Sequence, residues 1–221
     1  MSIIRNRKQV LNNIFRFFTE RRLVEATGQR ATTIRELVAQ IKKIGGSSIF
    51  YHTHASYLEH HFVRKRFYND FATWISESLQ EHKLAEQVAG IDIMDYTTIR
   101  DLRNSIVHVI QNHLSERKGE RARKAPPGEE FHFCKAKSFV FPTGLEARSV
   151  QEFFECLAQI SPLSLYYHVF ESRLRLQRTT SDFAVWLTDM GSEDIAGKIN
   201  RLDPYAFTLE ELRERIISLY S

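Results

Sequence analysis

Cysteine is scarce: Cys134 and Cys156 are the only two in 221 residues. Two thiols cannot staple a disulfide framework, so stability has to come from a packed core, and the expectation is reduced thiols in a cytoplasm. Long apolar runs are missing as well. None approaches the roughly 20 residues that a membrane helix needs, which excludes a helical membrane span. The opening stretch "MSIIRNRKQVLNNIF" carries Arg5, Arg7 and Lys8 but no apolar h-region and no small-residue cleavage site, so no secretory signal is expected.

A dominant charge is also lacking. Lys and Arg number 31 against 27 Asp and Glu, for a net charge of +4, and the two signs are mixed along most of the chain. A nucleic-acid binder gathers its positive charge on one face or element. Only two basic runs stand out, "RKR" at 64–66 and "ERKGERARK" at 116–124. The second leads into "APPGEE" and reads as a solvated linker. No P-loop, no G-x-G-x-x-G and no H-x-x-x-H appear, so neither a phosphate-cradling loop nor a helical zinc pair is encoded. The cluster "HTHASYLEHH" (His52, His54, His60, His61) lacks metal-ligand spacing. It is expected to be a surface cluster, with no metal and no cofactor.

What the chain does contain is itself, twice. Offset by 116 residues, 15–58 lies over 131–174 without a gap, and 13 of the 44 positions are identical. Ordinary composition gives about two or three by chance. The match resumes where "NDFATWI" (69–75) meets "SDFAVWL" (181–187), and again where "DIMDYTTIRDLR" (92–103) meets "DPYAFTLEELR" (203–213). The domain reading is therefore copy one over 1–114, a linker over 115–130 and copy two over 131–221, with a single compact pseudo-symmetric domain as the alternative.

Each copy opens with alternating aromatics, "FRFF" or "FHFC", and then a Thr-Gly turn at Gly28 or Gly144. "TIRE" (33–36) and "SVQE" (149–152) read as capping boxes, each followed by an apolar stripe at helical spacing. A second helix carries "SSIFYHTHAS" or its counterpart, a third starts at Asn69 or Ser181, and a last one starts at Thr98 or Thr208. The fold class is α+β, predominantly α-helical. It comprises two tandem strand-plus-helices units related by a pseudo-twofold, with strands that can pair across it.

The candidate site lies on the second helix. Ser48, His52 and Ser56 recur as Ser164, His168 and Ser172, a spacing of four that keeps them on one helix face. Tyr51 and Tyr167 precede the histidines, and Asp70 and Asp182 sit one helix later. Two readings compete. In the first, each histidine is buried and satisfied by hydroxyls and a carbonyl, locking helix packing. In the second, Tyr, His and Asp line a pocket for a small ligand or for acid–base work. Ser four residues from His on one helix is not a nucleophile arrangement. Trp74 and Trp186 read as core. The Gly45-Gly46 junction resembles a helix-turn-helix, but the following helix has no Arg or Lys to reach a base.

On "FHFCKAKSFVFPTG", "SLYYHVFESRLRL" and "NDFATW", the chain resembles a family of bacterial and archaeal proteins of this length, catalogued as a domain of unknown function. The likeness covers nearly the whole chain and brings no catalytic residues. Some members are encoded near trehalose-synthase-like glycosyltransferases, which implies a carbohydrate-active enzyme as partner. The function expected first is a non-enzymatic binding or regulatory module. A ligand-binding protein or enzyme built on the duplicated Tyr-His-Asp set comes second, and nucleic-acid binding third.

Overall fold

The protein is described by a computed structural model, which covers residues 13–56, 58, 66–117, 119, 122–203 and 206–220. It is α+β and predominantly helical. Strand β1 (Phe15–Ala31) pairs with β2 (Phe131–Ala147) in a two-stranded sheet. Thr27 meets Phe133 and Phe17 meets Thr143, so numbers rise along one strand as they fall along the other and the pairing is antiparallel.

Between the strands run α1 (Ile34–Lys43), α2 (Gly46–Phe50), α3 (Asp70–Glu77), α4 (His82–Ala89) and α5 (Ile99–Glu116). After β2 come α6 (Val150–Leu157), α7 (Pro162–Tyr166), α8 (Ser172–Leu176), α9 (Asp182–Asp189), α10 (Glu193–Arg201) and α11 (Leu209–Ser218).

Two compact units form, and they do not follow chain order. The central unit takes Arg22–Ser138; the terminal unit takes the residues before 22 and after 138. The helices that follow β1 in sequence therefore share their unit with Phe131–Ser138 of β2. The helices that follow β2 share theirs with the Phe15–Arg21 part of β1. Each strand-opening Phe-x-Phe packs on the helices that follow the other strand.

In the central unit, Phe131 lies 5.2 Å from Phe71, 4.7 Å from His52 and 5.7 Å from Trp74, ring centre to ring centre. In the terminal unit, Phe15 lies 5.3 Å from Phe153, 5.1 Å from His168 and 5.7 Å from Trp186. Alternation makes this possible: successive side chains leave opposite faces of a strand, so Phe15 and Phe17, or Phe131 and Phe133, enter one core together.

Local chemistry sets the element ends. Asn69 and Ser181 cap α3 and α9 by accepting from the amides of Ala72 and Ala184. Thr208 and Glu211 form a complete capping box on α11. At α1 and α6 the expected box is shifted by one residue. Thr33 and Ser149 do accept from the Glu36 and Glu152 amides, but the carboxylates reach one residue further back. Glu36 takes the Thr32 N–H at 2.7 Å and its hydroxyl at 2.8 Å; Glu152 takes the Arg148 N–H at 2.8 Å. Those bonds hold the Glu36 carboxyl below its usual range.

The Thr-Gly pairs do not turn the chain. Gly28 (φ +74°) and Gly144 (φ +84°) stand inside strands that run on for three more residues. Glycine takes a positive φ without the clash that a Cβ would bring, and the preceding threonine ties the backbone down at each of these points. Thr27 accepts from the Gln29 amide and donates to Phe133 O; Thr143 accepts from Leu145 and donates to Phe17 O.

Candidate functional site

The helix of the opening motif is not a regular α-helix. At each histidine it widens into a π-helical segment, Tyr51–Ala55 after α2 and Tyr167–Glu171 between α7 and α8. Such segments recur at functional positions in proteins, and the i, i+4 sequence pattern does not reveal them.

In the central unit, Ser48 and His52 together grip one residue of β2 by its main chain. The Ser48 hydroxyl donates to Cys134 O at 2.6 Å, and the Cys134 N–H donates to His52 Nε2 at 2.9 Å. Because Nε2 accepts, the ring proton is on Nδ1, which donates to Asp70 Oδ2 at 2.8 Å. The Ser56 hydroxyl donates to Asp70 Oδ1 at 2.7 Å. A serine and a histidine one turn apart thus do for the edge of a strand what a neighbouring strand does, taking its N–H and its C=O.

The terminal unit repeats the arrangement on β1. Ser164 donates to Phe18 O at 2.6 Å, the Phe18 N–H donates to His168 Nε2 at 2.8 Å, and His168 Nδ1 donates to Asp182 Oδ2 at 2.8 Å. One bond differs. Ser172 donates to the His168 carbonyl at 2.6 Å, and Asp182 Oδ1 is buried without a hydrogen-bond partner.

All ten candidate residues are thereby placed. Ser48, His52, Ser56 and Asp70 form one connected set; Ser164, His168 and Asp182 form the other, with Ser172 held to the backbone of His168. Tyr51 and Tyr167 are half-buried and meet their histidines edge to face, 4.9 and 5.0 Å between ring centres. The histidines expose only 3% and 1% of their surface. What the sequence reading missed is the partner: two backbone amides, Cys134 and Phe18, whose role no side-chain pattern announces.

Trp74 and Trp186 are buried, and each indole N–H donates to a carbonyl, Glu129 O at 2.6 Å and Asn13 O at 2.9 Å. Burial pushes both thiols, Cys134 and Cys156, above the usual value, with Asp70 adding to it at Cys134 and Glu152 and Glu155 at Cys156.

The histidine cluster is not a surface feature at His54. That ring is 2% exposed, stacks on Phe50 at 5.3 Å, and shares a 3.0 Å hydrogen bond with Thr53. His52 and His54 do point apart, but residues 52–56 are all buried, so both sides of this helix are covered. His60 and His61 lie outside the described residues, as do Arg64 and Lys65 of the first basic run. Among the described residues no group of three or more His, Cys, Asp or Glu is placed to hold a metal ion, and no helix is long and apolar enough to cross a membrane.

Residues 12–221 match the model of DUF5752, a family of unknown function. The chain belongs to this family. It is similar to the solved structure of OrfY from Thermoproteus tenax, with a TM-score of 0.79 and 26% identity over 93% of each chain. No functionally curated protein matches it.

Proposed function

We propose that this protein is a non-enzymatic binding or regulatory module and that its duplicated Ser-His-Asp sets are structural clasps. One observation carries the reading: each histidine is buried with both ring nitrogens occupied, Nδ1 on a carboxylate and Nε2 on a strand amide. A general base needs a nitrogen within reach of a substrate proton, and a ring already spanning an aspartate and a main-chain N–H has none to offer without breaking the fold's own bonds. The raised thiols add no nucleophile, since thiolate is the reactive form.

The partner we propose is a carbohydrate-active enzyme of the trehalose-synthase-like glycosyltransferase type, on the strength of the sequence resemblance. The test is to titrate the protein into such an enzyme from the same source and follow its rate. A saturable change in rate that survives Asp182→Asn, a variant that touches only a clasp, is the expected result. Turnover of any substrate by the protein alone that disappears in folded His52→Ala and His168→Ala would contradict the reading.

A further inference from the structure

In the central unit the segment 129–134 is held at four places. The Trp74 indole N–H donates to Glu129 O at 2.6 Å, the side chains of Phe131 and Phe133 are buried, and Ser48 and His52 take the C=O and N–H of Cys134. In the terminal unit the segment 13–18 is held at the same four places. Trp186 donates to Asn13 O at 2.9 Å, Phe15 and Phe17 are buried, and Ser164 and His168 take the C=O and N–H of Phe18.

The two segments, "NIFRFF" and "EEFHFC", share only their phenylalanines, at the third and fifth positions. The contacts at the first and sixth positions go to main-chain groups, which nearly any residue offers. Each site therefore asks of its segment an extended backbone and two phenylalanine rings. Alternation sends both rings to one side, and the residue between them, Arg16 or His132, is exposed. Main-chain bonds for affinity combined with pockets for alternate side chains are how strand-binding domains recognise peptides.

In neither unit do the site and its segment come from the same half of the chain. Ser48, His52 and Trp74 stand before the end of α5, and the segment they hold stands after it. Ser164, His168 and Trp186 hold a segment from before α1. More bonds join the halves in the same way: Thr27 donates to Phe133 O, Thr143 donates to Phe17 O, and Lys135 pairs with Glu25 at 2.9 Å. A break in the connection between α5 and residue 129 would leave two pieces, each holding a segment of the other. Two sites engaged by one pair of pieces reinforce each other.

We propose that each unit is a binding site for an extended peptide with phenylalanine at its third and fifth positions, filled here by the segment from the other half, so that the halves bind each other without a covalent connection. This rests on the clasp reading of the histidines but not on a partner enzyme, since the test reads association and no rate. A protease recognition sequence is placed after the exposed Gly119, and the folded full chain is cut there. The halves are expected to elute together in gel filtration at about 10 μM. In urea, the unfolding midpoint of the cut chain should rise with protein concentration, while that of the uncut chain does not. Ser48→Ala should weaken association about fivefold and Phe131→Ala about a hundredfold, while His132→Ala leaves it unchanged. Ser48→Ala carries the comparison if Phe131→Ala does not fold. Halves that separate in native buffer, a midpoint of the cut chain that ignores concentration, or equal association in Ser48→Ala and His132→Ala would each overturn the proposal.

Discussion

At the scale of single residues, the chemistry of His52 and His168 follows from what surrounds them. A backbone N–H aimed at Nε2 fixes the tautomer, and a carboxylate on Nδ1 fixes the ring plane. Replacing either histidine with alanine leaves an amide without its acceptor, leaves a carboxylate without its donor, and opens a gap among phenylalanines. Each such change should cost roughly 2–4 kcal/mol of stability, read from denaturant unfolding. Ser48→Ala, which removes one hydroxyl donor to Cys134 O, should cost about 1 kcal/mol in the same assay.

His113 supplies a pH dependence with a defined sign. Its folded pKa lies below the usual 6.5, chiefly through burial, so below about that pH the unfolded chain binds more protons than the folded one. The stability that its neutral form contributes is present above 6.5 and is lost as pH falls from there toward the folded value. Urea unfolding from pH 8 to pH 5 should show a decline that is shallower in His113→Gln.

At the scale of elements, each of the two 17-residue strands holds a glycine at positive φ. A Cβ at Gly28 meets nothing within 4 Å, so the penalty of Gly28→Ala comes from its φ of +74° alone. That predicts about 1–2 kcal/mol of destabilisation by thermal or denaturant unfolding, with the fold retained.

Much of this level was legible in the sequence. The Phe-x-Phe alternation announced a strand with one buried face, and Asn69, Ser181 and Thr208 announced helix starts where helices do start. The π-helical segments were not legible, because their polar residues keep the same spacing of four that an α-helix would show. The capping boxes at α1 and α6 could be read only to within a residue, since a glutamate side chain reaches the cap's amide or the one before it. The burial of His54 escaped because polarity in a sequence does not tell how many sides of a helix are covered.

At the scale of the whole molecule, the strands and helices are redistributed between the compact units. The Phe15–Arg21 part of β1 belongs with the helices that follow β2, and the Phe131–Ser138 part of β2 with those that follow β1. No periodicity encodes this, for an alternating strand fits either set of helices equally well. Neither thiol should act as a nucleophile. Burial raises both, so Cys134 and Cys156 should react with a thiol reagent at neutral pH far more slowly in the folded protein than in urea.

The most direct test is amide hydrogen exchange at Cys134 and Phe18, in the wild-type chain and in His52→Ala. If the histidines are clasps, both amides are protected in the wild type. Cys134 then loses its protection in His52→Ala, while Phe18, held by His168 in the other unit, keeps its own. Rapid exchange at Cys134 in the wild type, or undiminished protection there once the imidazole is gone, would contradict the account.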